Sequence, residues 1–164
     1  MSDAIGGVVN VTLIIFFIVI IASYMAFNVN YEKAFNVKNE IVSLYEEYNG
    51  VCTDANGCRQ KIADYENRLG YGSMNLTPKE GEKCFRQYGY CVKGVTARNH
   101  SSNSRAVKNN NIKYCYFGVR TNVLIEIPII NNLMNLSIFH VTGQTRTMKI
   151  YTTKTSCSAI ANTG

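Results

Sequence analysis

From Val8 to Val29 the chain carries no charged side chain, and from Val11 to Phe27 nearly every position is Ile, Val, Phe, Leu or a small residue. A helix needs about 20 predominantly apolar residues to cross a bilayer core, and this stretch supplies them. Beyond Val29 the pattern changes from uniformly apolar to striped. Tyr31, Ala34, Phe35, Lys38 (through its alkyl stem), Ile41, Val42, Tyr45 and Tyr48 recur at three- and four-residue steps, the spacing of one helix face. No Gly or Pro interrupts the stripe before Asn49-Gly50, a pair suited to a helix C-terminus. The pattern predicts one helix running from residue 8 to residue 48, roughly 60 Å long at 1.5 Å per residue. Only its first half fits within a membrane. The second half must pack its stripe on the following domain or on neighbouring copies.

The rest of the chain is patterned differently. Arg59 to Leu69 puts Ile62, Tyr65 and Leu69 on one face with Gly70 behind them, which predicts a short amphipathic helix. Residues 70–83 are rich in turn formers: Gly70, Gly72, Pro78 and Gly81. Tyr, Phe, Val and Ile then accumulate in Phe85–Val95 and Tyr114–Ile127, as in strands. The polar run Arg98–Asn111 between them has the composition of a mobile loop. Val123, Ile125 and Ile127 alternate with Leu124 and Glu126 until Pro128, which ends a strand. Ile129–Leu136 is interrupted by Asn131, Asn132 and Asn135, as a wide turn or short helix would be. Ser137–Thr153 alternates again, with Ile138, His140 and Thr142 on one face and Phe139 and Val141 on the other. It reads as a final long strand returning beside Tyr114–Ile127. The expected fold is α+β: a long N-terminal transmembrane helix continues as an amphipathic stalk, packed on a small antiparallel sheet. Residues 1–50 form the helix and its extension, and residues 51–164 the β-rich domain.

Charge sharpens that division. Residues 1–50 hold two Lys against five Asp or Glu, whereas residues 51–164 hold fifteen Lys or Arg against six acids. The basic charges (Arg59, Lys61, Arg68, Lys79, Lys83, Arg86, Lys93, Arg98) are scattered and form no tight run. They read as a solvated surface first, and as a face for nucleic acid or another anionic polymer second. Only Asp3 and the amino terminus precede the apolar run, and Ala22-Ser23-Tyr24-Met25-Ala26 matches a signal-peptidase site poorly. A retained anchor is expected rather than a cleaved signal. Lys33 and Lys38 are offset by Glu32 and Glu40, so the positive-inside rule says little about orientation.

The cysteines say more. Cys52, Cys58, Cys84, Cys91, Cys115 and Cys157 all follow the membrane segment. Six cysteines in a small loop-rich domain imply disulfides in an oxidising compartment, which places this domain outside the cytoplasm. Cys52 and Cys58 bracket a turn-like segment and form the best local pair. Cys91 and Cys115 fall in segments that could be neighbouring strands, leaving Cys84 for Cys157; the alternative joins Cys84 to Cys91. Zinc ligation would favour closer Cys pairs with a nearby His, and neither His100 nor His140 has a Cys within seven residues.

Catalytic patterns do not emerge. His100 lies in a polar loop with no nearby acid, His140 lies in a strand, and Glu126 is the only acid after Glu82. A general acid–base pair needs partners that this spacing does not supply. No nucleophile elbow, phosphate loop or dinucleotide fingerprint occurs, so neither an enzyme nor a cofactor is expected. Tyr and Phe are spread along the chain as packing residues rather than as a stacking platform. The Asn-x-Ser/Thr sequons at Asn75, Asn99 and Asn135 are weak signals in so Asn-rich a chain.

Two segments carry a resemblance. Gly6-Gly7-Val8-Val9-Asn10-Val11-Thr12 opens the apolar helix, and Val123 to Ile138 is followed by Val141-Thr-Gly-Gln-Thr-Arg146. Together with the helix–stalk–β plan, they resemble type IV pilin-like proteins, and most closely the TadE-like pilins of tight-adherence (Tad) pilus systems. The resemblance implies a minor pilin or pseudopilin acting in assembly, adhesion or secretion. It implies prepilin-type cleavage after Gly6 or Gly7. Its implied partners are membrane lipid and, through residues 8–48, other pilin-like subunits and their assembly machinery. In that family the fifth residue of the mature helix is commonly Glu; here it would be Val11 or Thr12. The alternative is a membrane-anchored extracytoplasmic module that binds polyanions or cell-wall polymers through its basic surface.

Overall fold

In the computed structural model, helix α1 runs unbroken from Ser2 to Glu47, roughly 69 Å at 1.5 Å per residue. The structure describes residues 2–71, 76–97, 112–123, 139–151 and 156–161. The expected polar loop with His100, the Pro128 turn, the Ile129–Leu136 segment and all three sequon asparagines lie outside the described residues.

The end of α1 is set by Asn49 and Gly50. Both adopt left-handed backbone, with φ of 50° and 79°. The Gly50 N–H donates to the Tyr45 carbonyl at 2.7 Å and the Asn49 N–H to the Glu46 carbonyl at 3.3 Å. This reciprocal pair satisfies carbonyls that a helix end otherwise leaves open. A side chain at Gly50 would also run into the Phe117 ring, so the turn requires glycine for space as well as for φ.

Helix α2, Cys58–Leu69, follows a short loop and ends the same way at Gly70. Strand β1 (Lys83–Phe85) leads through a single 3-10 turn, Arg86–Tyr88, and Gly89 into β2 (Tyr90–Thr96). The chain continues through β3 (Ile112–Val123), β4 (Phe139–Gln144), β5 (Met148–Tyr151) and the short helix α3 (Cys157–Ala161). Among the described residues the strand pairings are antiparallel, in the order β1-β2-β3-β4, with β5 also beside β3. The expected strand Phe85–Val95 is therefore a hairpin, because Gly89 at φ 62° reverses the chain within it. The expected final strand is one edge in two pieces. Thr145 interrupts it, exchanging bonds with the Phe117 backbone through its own N–H and hydroxyl, each at 2.9 Å.

Side chains alternate across a sheet, and here one face is apolar. Phe85, Tyr90, Val92, Phe117, Val119, Val141, Met148 and Ile150 are buried beneath Ala34, Val37, Ile41, Leu44 and Tyr45 of α1 and Ile62 of α2. The stalk's stripe is thus the core of the domain that follows it. The packed unit begins at Ala34, so residues 34–47 belong to it in space although they belong to the helix in sequence. Gly94 of β2 lets α3 lie against this face: a Cβ there would collide with the Cys157 carbonyl.

Candidate functional site

The apolar half of α1 differs from everything below it. The six successive residues Leu13 to Ile18 are each 50–59% exposed, and at 100° per residue six positions pass all round a helix. Within the span, the Thr12 and Ser23 hydroxyls donate to the Val8 and Val19 carbonyls at 2.8 and 2.7 Å. That removes the hydroxyl donors from the helix surface, as an apolar medium requires. The helix is long and apolar enough to cross a membrane once.

Where α1 leaves this sleeve, it is fastened to the sheet. The Thr121 hydroxyl donates to the Ala34 carbonyl at 3.2 Å. Gly143 lies against the stem of Lys38, whose Cδ would be 2.7 Å from a Cβ there, and the Lys38 ammonium lies 3.9 Å from the Phe35 ring centre. The Tyr71 hydroxyl donates to the Asn122 carbonyl at 2.6 Å and accepts from its N–H at 3.1 Å. At the far end, Glu46 accepts the Arg146 N–H at 2.7 Å, and Glu47 pairs with Lys61 at 3.1 Å. From Ala34 to Glu47 the helix is packed into the domain.

Among the described residues, two charged clusters are buried, neither of them expected from the scattered charges of the sequence. In the first, Arg59 and Glu66 lie on the inner face of α2 with Ile62. Arg59 reaches Asp54 at 2.9 Å and stacks on Phe85 at 4.4 Å. One oxygen of Glu66 has no hydrogen-bond partner, and burial pushes its carboxyl up to about 8. Tyr45 and Tyr90 lie close by, and their hydroxyls are pushed up by burial as well. The positions 59, 62, 66 and 69 share a helix face, so the spacing that predicts α2 also carried this signal.

In the second cluster, on the sheet face away from α1, Arg120 grips Glu82. Its Nη2 is 2.6 Å from Oε2, and its Nε lies 3.3 and 3.2 Å from Oε1 and Oε2. Nη2 also donates to the Thr77 carbonyl at 2.9 Å. Burial alone would raise the Glu82 carboxyl, but the Arg120 hydrogen bonds and the Lys79 N–H together hold it below its usual value.

All six cysteines are paired. Cys52–Cys58 forms as expected, in a loop tied by Asn56, whose side chain bonds Val51, Thr53 and Cys58. The other two bridges are Cys84–Cys91 and Cys115–Cys157, which overturns the expected Cys91–Cys115 and Cys84–Cys157 pairs in favour of the alternative. Register is the reason. Cys91 and Cys115 are on neighbouring strands, but Cys91 faces Arg120 and Cys115 faces Thr96, an offset of five residues or roughly 17 Å at about 3.3 Å per residue. Cys84 and Cys91 face each other across β1 and β2. Glu82, Cys84 and Cys91 place three possible metal ligands within 4.8 Å, but the sulfurs are bonded to each other and the carboxylate is held by Arg120.

Gly6 and Gly7 lie within the first two turns of α1, and Gly7 has open space around it. His140 is exposed on β4. An open cleft of about 340 Å³ lies between Asn49, Val51, Lys149, Ile150 and Tyr151. Compared with known protein families, curated proteins and solved structures, the chain matches none.

Proposed function

We propose that the protein is a pilin-like subunit, anchored by α1 with residues 51–164 outside the cytoplasm, which assembles with like subunits through its apolar helix. The observation that carries this reading is the single helix with two solvents. From Leu13 to Ile18 it is exposed on every side, and from Ala34 to Tyr45 it is the core of an oxidised domain. Such a helix can leave the bilayer only if its apolar sleeve becomes buried against other helices, and Gly6, Gly7, Ala22, Ser23 and Ala26 permit close approach. Its packing into the domain from Ala34 onward would carry that domain with the helix. Cleavage after Gly6 or Gly7 belongs to the same reading. With Val11 or Thr12 in place of an acid, the assembly would rest on packing rather than on a buried charge pair, as suits a minor subunit.

The test is a photo-crosslinking side chain placed at Phe16 or Ile20 in native membranes. Adducts with a second copy or with another single-span protein support the reading; adducts with lipid alone count against it.

One observation favours the second reading, an anchored module for anionic polymers. Tyr151 is 72% exposed, Lys149 lies 5.1 Å from its ring centre, and both line the open cleft. Polymer binding by the intact protein in detergent would then weaken as salt rises and fall with Tyr151→Ala. Binding insensitive to both changes would exclude it.

A further inference from the structure

The three disulfides are not equivalent. Five of the six cysteines are buried, at 3% exposure or less; Cys84 alone of the six is only partly buried. It lies on β1, the strand at one end of the sheet. Its side chain, like that of Cys91, is on the face away from α1, because Phe85 and Tyr90 take the inner face. On the other side of this bridge, Arg120 Nη2 is 3.5 Å from Cys91 Sγ. The guanidinium is held there by Glu82 and by the Thr77 carbonyl. The bridge therefore reaches the surface through Cys84, and its other sulfur has a cation fixed beside it.

Disulfides are exchanged by a thiolate that attacks one sulfur and expels the other, faster when the leaving thiolate is stabilised. Cations within hydrogen-bond reach stabilise a thiolate. We propose that Cys84–Cys91 is a thiol-exchange site, opened by a dithiol reductant that attacks Cys84 Sγ while Cys91 Sγ leaves as a thiolate beside Arg120. The first step forms a mixed disulfide between the reductant and Cys84 and breaks the Cys84–Cys91 bond, its electron pair passing to Cys91. The second thiol of the reductant then attacks its own bonded sulfur and releases Cys84. The dithiol is oxidised to a disulfide, and its two protons end on Cys84 and Cys91. Opening the bridge leaves β1 joined to β2 by backbone pairing over only three register positions. The other two bridges have both sulfurs buried and are resistant while the chain is folded.

The test uses the full chain in detergent micelles, exposed to dithiothreitol for graded times, alkylated, and mapped by mass spectrometry. Cys84 and Cys91 are expected to be labelled about tenfold or more faster than the other four cysteines. With glutathione in place of the dithiol, the adduct is expected on Cys84. Arg120→Gln should slow opening about tenfold, and Arg120→Lys should restore most of the rate. Should Arg120→Gln fail to fold, the glutathione position in the unaltered protein decides. Earlier labelling of Cys52 and Cys58, loss of all three bridges together, or an adduct on Cys91 would each overturn the proposal.

Discussion

Glu66 is a carboxyl group held inside the domain, where burial pushes it up to about 8 from an ordinary value of 4.5. Between those values the folded chain keeps a proton that the unfolded chain has released. Stability is therefore fully present below about 4.5 and declines as pH rises toward 8. Glu66→Gln keeps the shape without the charge. It should remove most of this decline and make the protein more stable than the unaltered chain at pH 8, as read by urea unfolding monitored through tyrosine fluorescence. An unchanged slope would show that another group titrates. Arg120 has the opposite logic. Removing it leaves Glu82 half-buried without its cation, and losing one partner of a buried pair typically costs about 3–5 kcal/mol. Arg120→Ala should lower the unfolding midpoint accordingly. Lys61 and Glu47 are both half-exposed, so breaking that pair should shift stability by under about 1 kcal/mol.

Among the elements, α1 carries both ends of the account. Ile41 is fully buried against the sheet, and Ile41→Ala should destabilise the β-rich domain by about 2–5 kcal/mol. The same change at Ile14, 53% exposed, should leave the thermal midpoint in detergent unchanged. Gly94→Ala drives a methyl into the Cys157 carbonyl; it should displace α3 and lower the midpoint, by about 1–3 kcal/mol if the strain relaxes as in other overpacked cores. The helix and its stripe were legible in sequence because period and length are local properties. Spacing alone also put Tyr31 and Phe35 on the stripe, yet both are more than 40% exposed: Tyr31 precedes the packed face, and Phe35 lies on the flank of the helix beneath the Lys38 ammonium. Val37 and Leu44, which it omitted, are buried. The Cys84–Cys91 pair depends on strand register, which hairpin turns decide and composition does not, and the Cys115–Cys157 pair depends on where α3 lies against β2. Arg120 is hidden for a related reason, since a scattered charge looks solvated until its neighbours in space are known, whereas Arg59 and Glu66 share the apolar face of α2 and were legible from its spacing.

Over the whole molecule, α1 has two surroundings: it is exposed on every side from Leu13 to Ile18, as a membrane-spanning helix would be, and from Ala34 on it is built into a disulfide-bonded domain. Both the pilin-like reading and the anchored-module reading depend on that arrangement, and they part over what happens to the N-terminus. The direct measurement is the intact mass and N-terminal sequence of the protein taken from its own membranes without reductant. Pilin-type processing of an oxidised protein gives a chain beginning at Gly7 or Val8 and lighter by six hydrogens for its three disulfides. A chain that keeps Met1 with its disulfides intact would contradict pilin-type processing, and six alkylatable thiols would contradict the outer location on which both readings rest.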